Sequence, residues 1–118
     1  MKSAEAVLAL GALAHGHRLA IYRLLVTKGP EGLAAGDIGS RIELLPSTLT
    51  FHVQALLRAG LVTQRRAGRN LIYAADFEVM NGLVAYLTDK CCGGQIACTP
   101  ASAFETVRIK PRQRGKVA

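Results

Sequence analysis

Cys91, Cys92 and Cys98 are the only cysteines of the chain, and they fall within one short span near its C-terminal end. Thiolates are soft donors, so a cluster of them is chemistry addressed to a thiophilic ion. Their number selects among ions. Structural zinc completes a tetrahedron with four protein ligands, which leaves a cysteine trio one short. Trivalent arsenic or antimony forms three bonds beside a lone pair, so a pyramid of three thiolates satisfies it. Adjacent side chains diverge by about 100° on an intact helix, so Cys91 and Cys92 converge only where a helix ends. Gly93 and Gly94 favour such an ending and let the chain bring back Cys98 as the third sulfur. Two other uses of these thiols stay open. A Cys91–Cys92 disulfide would be strained across Cα atoms about 3.8 Å apart, but Cys98 can bridge either neighbour in a redox switch. A soft divalent ion such as cadmium or lead is the other competitor.

The elements that must hold this cluster can be read from periodicity. Val7, Leu8, Leu10, Gly11 and Ala14 share one side of a first helix that ends around His15-Gly16-His17. Leu19, Ile21, Tyr22, Leu24, Leu25 and Val26 make a second helix, stopped by Lys28-Gly29-Pro30. A short third helix is expected from Leu33 or Ala34 to about Ile42, and a fourth from Pro46 to about Ala59. Gly60 closes the fourth. Leu61 to Ala67 and Asn70 to Ala75 then read as two strands around Gly68-Arg69. Asp76 is placed to cap a fifth helix, whose stripe of Met80, Leu83, Val84 and Leu87 suits a dimer surface.

The fourth helix has two faces. Leu49, Val53, Leu56 and Leu57 pack inward at helical spacing, while Ser47, Thr50, Phe51, Gln54 and Arg58, with Thr48 beside them, remain available. From residue 44 to 75 the only charged residues are Arg58, Arg65, Arg66 and Arg69. A polar helix face followed by an acid-free basic hairpin suits double-stranded DNA: the helix reads base edges, and the arginines meet phosphates. Ser47, Thr50 and Gln54 are hydrogen-bonding readers, Phe51 a contact for a thymine methyl. The tail adds Arg108, Lys110, Arg112, Arg114 and Lys116 without a counter-charge, within a net charge of +7. The fold class expected is mainly α with a small β-hairpin: a winged helix-turn-helix of five helices plus wing.

These segments resemble the ArsR/SmtB metal-responsive repressors. The resemblance is carried by Leu13-Ala14-His15-Gly16-His17-Arg18-Leu19, by Pro46-Ser47-Thr48-Leu49-Thr50-Phe51-His52-Val53, and by Leu56-Leu57-Arg58-Ala59-Gly60-Leu61-Val62 running into Arg66-Ala67-Gly68-Arg69-Asn70-Leu71-Ile72-Tyr73. It implies a homodimer joined by the first and last helices, with base contacts from Ser47, Thr50 and Phe51. Many arsenic sensors of the family carry Cys-x-Cys at the start of the third helix, where this chain has Ala35-Gly36-Asp37-Ile38. The zinc sensors place Asp and His ligands along the last helix, yet residues 76 to 90 contain no histidine. The C-terminal cysteines thus resemble the arsenite site of one branch of the family.

The resulting expectation is a cytoplasmic, homodimeric repressor that releases operator DNA when As(III) or Sb(III) binds Cys91, Cys92 and Cys98. Residues 1–92 would form the dimerising DNA-binding domain and residues 93–118 the metalloid loop and basic tail. No catalytic constellation and no catalytic cofactor is expected, and no apolar run approaches a membrane span. His15 and His17 read as surface or cap residues, with His52 beside the reading face. A winged-helix interaction module that does not bind DNA is the remaining alternative.

Overall fold

The computed structural model describes residues 1–89; Cys91, Cys92, Cys98 and the basic tail lie outside the described residues. Helix α1 (Ser3–Leu13) starts where the Lys2 backbone N–H donates to Glu5 Oε1 at 2.7 Å. Its buried residues are Ala6, Ala9 and Ala12, whereas Val7, Leu8 and Leu10 are exposed. The side the sequence marks by its larger apolar residues therefore faces outward in the single chain. The alanines allow the helix backbone to lie close to its own core, and the bulkier side chains stay uncovered.

Helix α2 (Gly16–Lys28) begins with His15 as its N-cap, the imidazole Nδ1 accepting from the His17 N–H at 3.2 Å. Ile21, Tyr22 and Leu25 carry this helix into the core. After a 3-10 turn at Gly29–Glu31 the chain makes a two-residue strand, β1 (Leu33–Ala34), and helix α3 (Ala35–Ile42) follows. Leu33 and Ala34 thus extend a sheet instead of opening the third helix. Gly32 makes this path feasible: it has φ 73°, and a Cβ there would collide with the Tyr73 carbonyl oxygen.

Glu43 ends α3 in the left-handed region at φ 61°, and the Leu44 N–H donates to the Gly39 carbonyl at 3.0 Å. This tight turn delivers helix α4 (Pro46–Arg58), with Pro46 in its first turn. Strands β2 (Val62–Ala67) and β3 (Asn70–Ala75) form the expected hairpin, and β1 joins it to give an antiparallel sheet in the order β1-β3-β2. Leu33 lies opposite Tyr73, and Val62 opposite Ala75. Helix α5 (Phe77–Leu87) is capped by Asp76 Oδ1, which accepts from the N–H groups of Glu78 at 3.1 Å and Val79 at 3.2 Å.

The core gathers Ile21, Leu25, Ile38, Val53, Leu56 and Leu61, all fully enclosed. Residues Met1–Leu83 make one compact unit, and Val84 begins a second. Leu83 packs in the core of the first. In the second, Val84, Tyr86 and Leu87 are exposed.

Candidate nucleic-acid interface

The two faces of α4 separate as their spacing requires. Leu49, Val53 and Leu56 are buried and Leu57 half-buried. Ser47, Thr50, Phe51 and Arg58 are exposed, while Thr48 and Gln54 are half-buried at the margins. Phe51 has 61% of its surface accessible, which leaves the ring available to a partner.

The hairpin sorts its arginines. Successive side chains along a strand point to opposite faces, so Arg66 shares a face with Val62 and Gln64, and Arg65 lies on the other face with Thr63. Arg65 Nη2 donates to the Glu31 carbonyl at 3.0 Å, which braces the wing against the 3-10 turn. Arg66 pairs across the ribbon with Leu71, and Arg69 stands in the turn beyond Gly68, whose φ is 65°. All three arginines are exposed. The wing therefore presents cations on both faces and at its tip.

Behind the reading face lies a cluster that the sequence does not reveal. His52, read as lying beside that face, is buried on the inward side of α4. Its ring centroid lies 4.6 Å from that of His15 and 5.5 Å from that of His17. Arg18 Nε donates to His52 Nδ1 at 3.3 Å, and the Arg18 guanidinium carbon stands 5.7 Å from the centroid of Phe51. Arg18 thus links the start of α2 to both faces of α4. Burial holds the His52 pKa below the ordinary imidazole value, and His15, Arg18 and His17 push it the same way. The only hint in the sequence is His15-Gly16-His17-Arg18 at a helix junction; nothing local ties it to His52. Among the described residues no group of three His, Cys, Asp or Glu side chains is arranged to hold a metal ion.

A helix-turn-helix whose second helix offers a polar face, followed by a cationic antiparallel wing, defines the class: a winged helix-turn-helix protein. The comparisons agree. A family model described as a helix-turn-helix domain matches residues 13–65. The transcriptional activator HlyU of Vibrio cholerae is 32% identical over 90 residues, covering 76% of this chain and 81% of that protein. Its solved structure superposes with a TM-score of 0.60 at 34% identity, over 76% of this chain and 95% of that one. The homodimeric winged helix-turn-helix DNA-binding domain of Mb0332 from Mycobacterium bovis gives 0.59 at 27% identity, covering 78% and 85%. An ArsR-like regulator from Rhodococcus, 22% identical with a TM-score of 0.65 over 88% and 92% of the two chains, shares the fold. This chain belongs to the ArsR-like, HlyU-type family of winged helix-turn-helix transcriptional regulators. No helix among the described residues is long and apolar enough to cross a membrane.

Proposed function

We propose that the protein is a homodimeric repressor that binds a pseudo-palindromic operator and releases it when arsenite or antimonite is captured by Cys91, Cys92 and Cys98. What carries the reading is the union, in one small regulator, of a helix-turn-helix and three thiols confined to one short segment. In this reading Ser47, Thr48, Thr50, Phe51 and Gln54 address base edges. Arg58, Arg66 and Arg69 neutralise phosphates, and Arg65 does so with the part of its guanidinium left free by Glu31.

The exposed Val7, Leu8 and Leu10 support a dimer in which α1 meets a second copy. Two copies would present their reading helices to half-sites about 34 Å apart. The cysteines follow α5 in the chain, so metalloid capture that shifts this helix would change the spacing of the two α4 helices. A thiol-redox variant of the same mechanism is favoured by one observation: a solved structure of the related HlyU is of its reduced form, at 34% identity. In that variant Cys98 bonds Cys91 or Cys92, the two thiols giving up two electrons and two protons to a disulfide or peroxide oxidant.

Substitution and calorimetry separate these readings. Cys→Ser at positions 91, 92 or 98 should leave DNA binding intact and abolish arsenite-induced release. Free thiols, with pKa about 8.5, are mostly protonated near neutral pH, so a divalent ion must expel their protons. Arsenite arrives as As(OH)₃ and sheds its hydroxyls as water with the thiol protons. Its binding enthalpy should therefore be nearly independent of buffer ionisation enthalpy, whereas that of Cd²⁺ should vary strongly. Cadmium-driven release with arsenite inert would overturn the ligand assignment; release by a disulfide oxidant alone would favour the redox variant.

A further inference from the structure

All three histidines of the chain meet at one joint, with ring centroids 4.6, 5.5 and 5.7 Å apart. The joint connects the N-terminus of α2 to the inward side of α4, directly behind Phe51. Two hydrogen bonds hold it. His15 Nδ1 accepts from the His17 N–H, and His52 Nδ1 accepts from Arg18 Nε. An imidazole can accept at Nδ1 only when it is neutral, with its proton on Nε2; the imidazolium has two donors and no acceptor. Both bonds therefore require neutral rings. His15 also caps the positive end of the α2 dipole, where a further positive charge is unfavourable. The charged and titratable groups acting on His52 are His15, Arg18 and His17, with no carboxylate among them.

We propose that His15, His17, His52 and Arg18 form a proton-sensitive joint that positions the reading helix, so that DNA affinity falls as pH drops below neutrality. The proposal rests on the reading of α4 as the DNA-contacting helix. A proton taken up from solvent at His52 Nδ1 turns that acceptor into a donor facing the Arg18 Nε–H. Two cations then oppose one another at a part-buried contact. Arg18 leaves both His52 and Phe51, and α4 loses its tie to the start of α2. Added positive charge alone would strengthen attraction to phosphates, so a fall in affinity on acidification has the opposite sign to a general charge effect.

The size of the effect follows from one ring. If DNA binds only the closed joint with His52 neutral, affinity falls once pH drops through the lowered His52 pKa, approaching a limit of about tenfold per pH unit for each ring. The assay is fluorescence anisotropy at fixed ionic strength, using a duplex selected from a randomised library at pH 7.5. A His15→Asn, His52→Gln double variant keeps a capping and an accepting side chain but cannot take up a proton at the two rings whose Nδ1 atoms accept hydrogen bonds. Each protein is referred to its own affinity at pH 7.5; the wild type should weaken progressively on acidification, and the variant should change less than about threefold over the same range. Wild-type affinity that stays level or rises on acidification would overturn the joint, as would a variant that follows the wild type.

A DNA-free readout keeps the joint testable by itself. Imidazole ¹⁵N spectra at pH 7.5 should show His15 and His52 as Nε2–H tautomers, with the Arg18 Nε–H protected and that protection lost by pH 5.5. An Nδ1–H tautomer for His52, or unchanged protection of Arg18 at pH 5.5, would refute the joint whatever DNA does. Failure to select any duplex would instead overturn the DNA reading, and with it the proposed consequence for affinity.

Discussion

Replacing Arg66 with Ala gives the sharpest test of how the wing is used. Arg66 is exposed on the ribbon face shared with Gln64 and lies opposite Leu71, a half-buried apolar residue that offers no counter-charge. Arg66→Ala should therefore leave the fold intact and remove one phosphate contact per subunit, two per dimer. Each neutralised phosphate contributes about 0.9 to the slope of log affinity against log salt, so the variant's slope should be shallower by about 1.8. Over a fourfold rise in salt, from about 50 to about 200 mM, that difference amounts to roughly a twelvefold narrowing of the affinity gap between wild type and variant. Anisotropy titrations with operator and with an unrelated duplex should show the same change, because phosphate contacts carry no sequence information. Arg65→Ala offers the contrast: it also breaks the 3.0 Å bond to the Glu31 carbonyl, so some of its effect should appear as lower thermal stability of the free protein. Identical slopes for Arg66→Ala and wild type would refute the assignment of this arginine to DNA.

Three further outcomes follow from the packing. Leu8→Glu places a charge on the exposed apolar side of α1; since burying a leucine contributes about 1.5–3 kcal/mol and a dimer buries two, sedimentation velocity should show a monomer at concentrations where the wild type is dimeric. An unchanged dimer would exclude α1 from the interface. Gly32→Ala forces a Cβ against the Tyr73 carbonyl at a positive φ, and its thermal unfolding should show a loss of roughly 2 kcal/mol or more, the scale of overpacking plus backbone strain; full stability would contradict the tight β1–β3 approach. His52, whose pKa is lowered from its ordinary 6.5 by burial first and then by His15, Arg18 and His17, binds fewer protons folded than unfolded. Its contribution to stability is thus full above about pH 6.5 and lost as pH falls through the lower folded value, so His52→Gln should flatten the wild-type decline in melting temperature on the acid side of 6.5.

Much of this fold could be read from local patterns because local physics decides it. The inward Leu49, Val53 and Leu56 of α4, the hairpin around Gly68, and the Asp76 cap each announce themselves within a few residues. The features that escaped depend on partners distant in the chain. Leu33 and Ala34 form a strand only because Tyr73 and Ile72 supply the other half of the ladder. In α1, hydrophobicity draws attention to Val7, Leu8 and Leu10, yet close packing favours the smallest side chains, and Ala6, Ala9 and Ala12 take the core. His52 carries no local sign of burial, since its donor, Arg18, comes from another helix. Ser47, Thr50 and Phe51, chosen by spacing alone, do lie together on the exposed face of α4. The cysteine site was read from residue chemistry alone, and Cys91, Cys92 and Cys98 lie outside the described residues.

In the proposed function one chain couples metalloid capture to operator release. The most direct test of this coupling is an arsenite titration of the protein saturated with a labelled selected duplex, with anisotropy reporting bound DNA. The same titration without DNA, followed by the thiolate-to-arsenic charge-transfer absorbance, gives the metalloid affinity of the free protein. Arsenite should release the duplex, and saturating duplex should weaken arsenite binding by the factor by which arsenite weakens DNA binding, because the two equilibria are linked. Equal arsenite affinities with and without duplex, or a duplex that stays bound at saturating arsenite, would contradict the coupling.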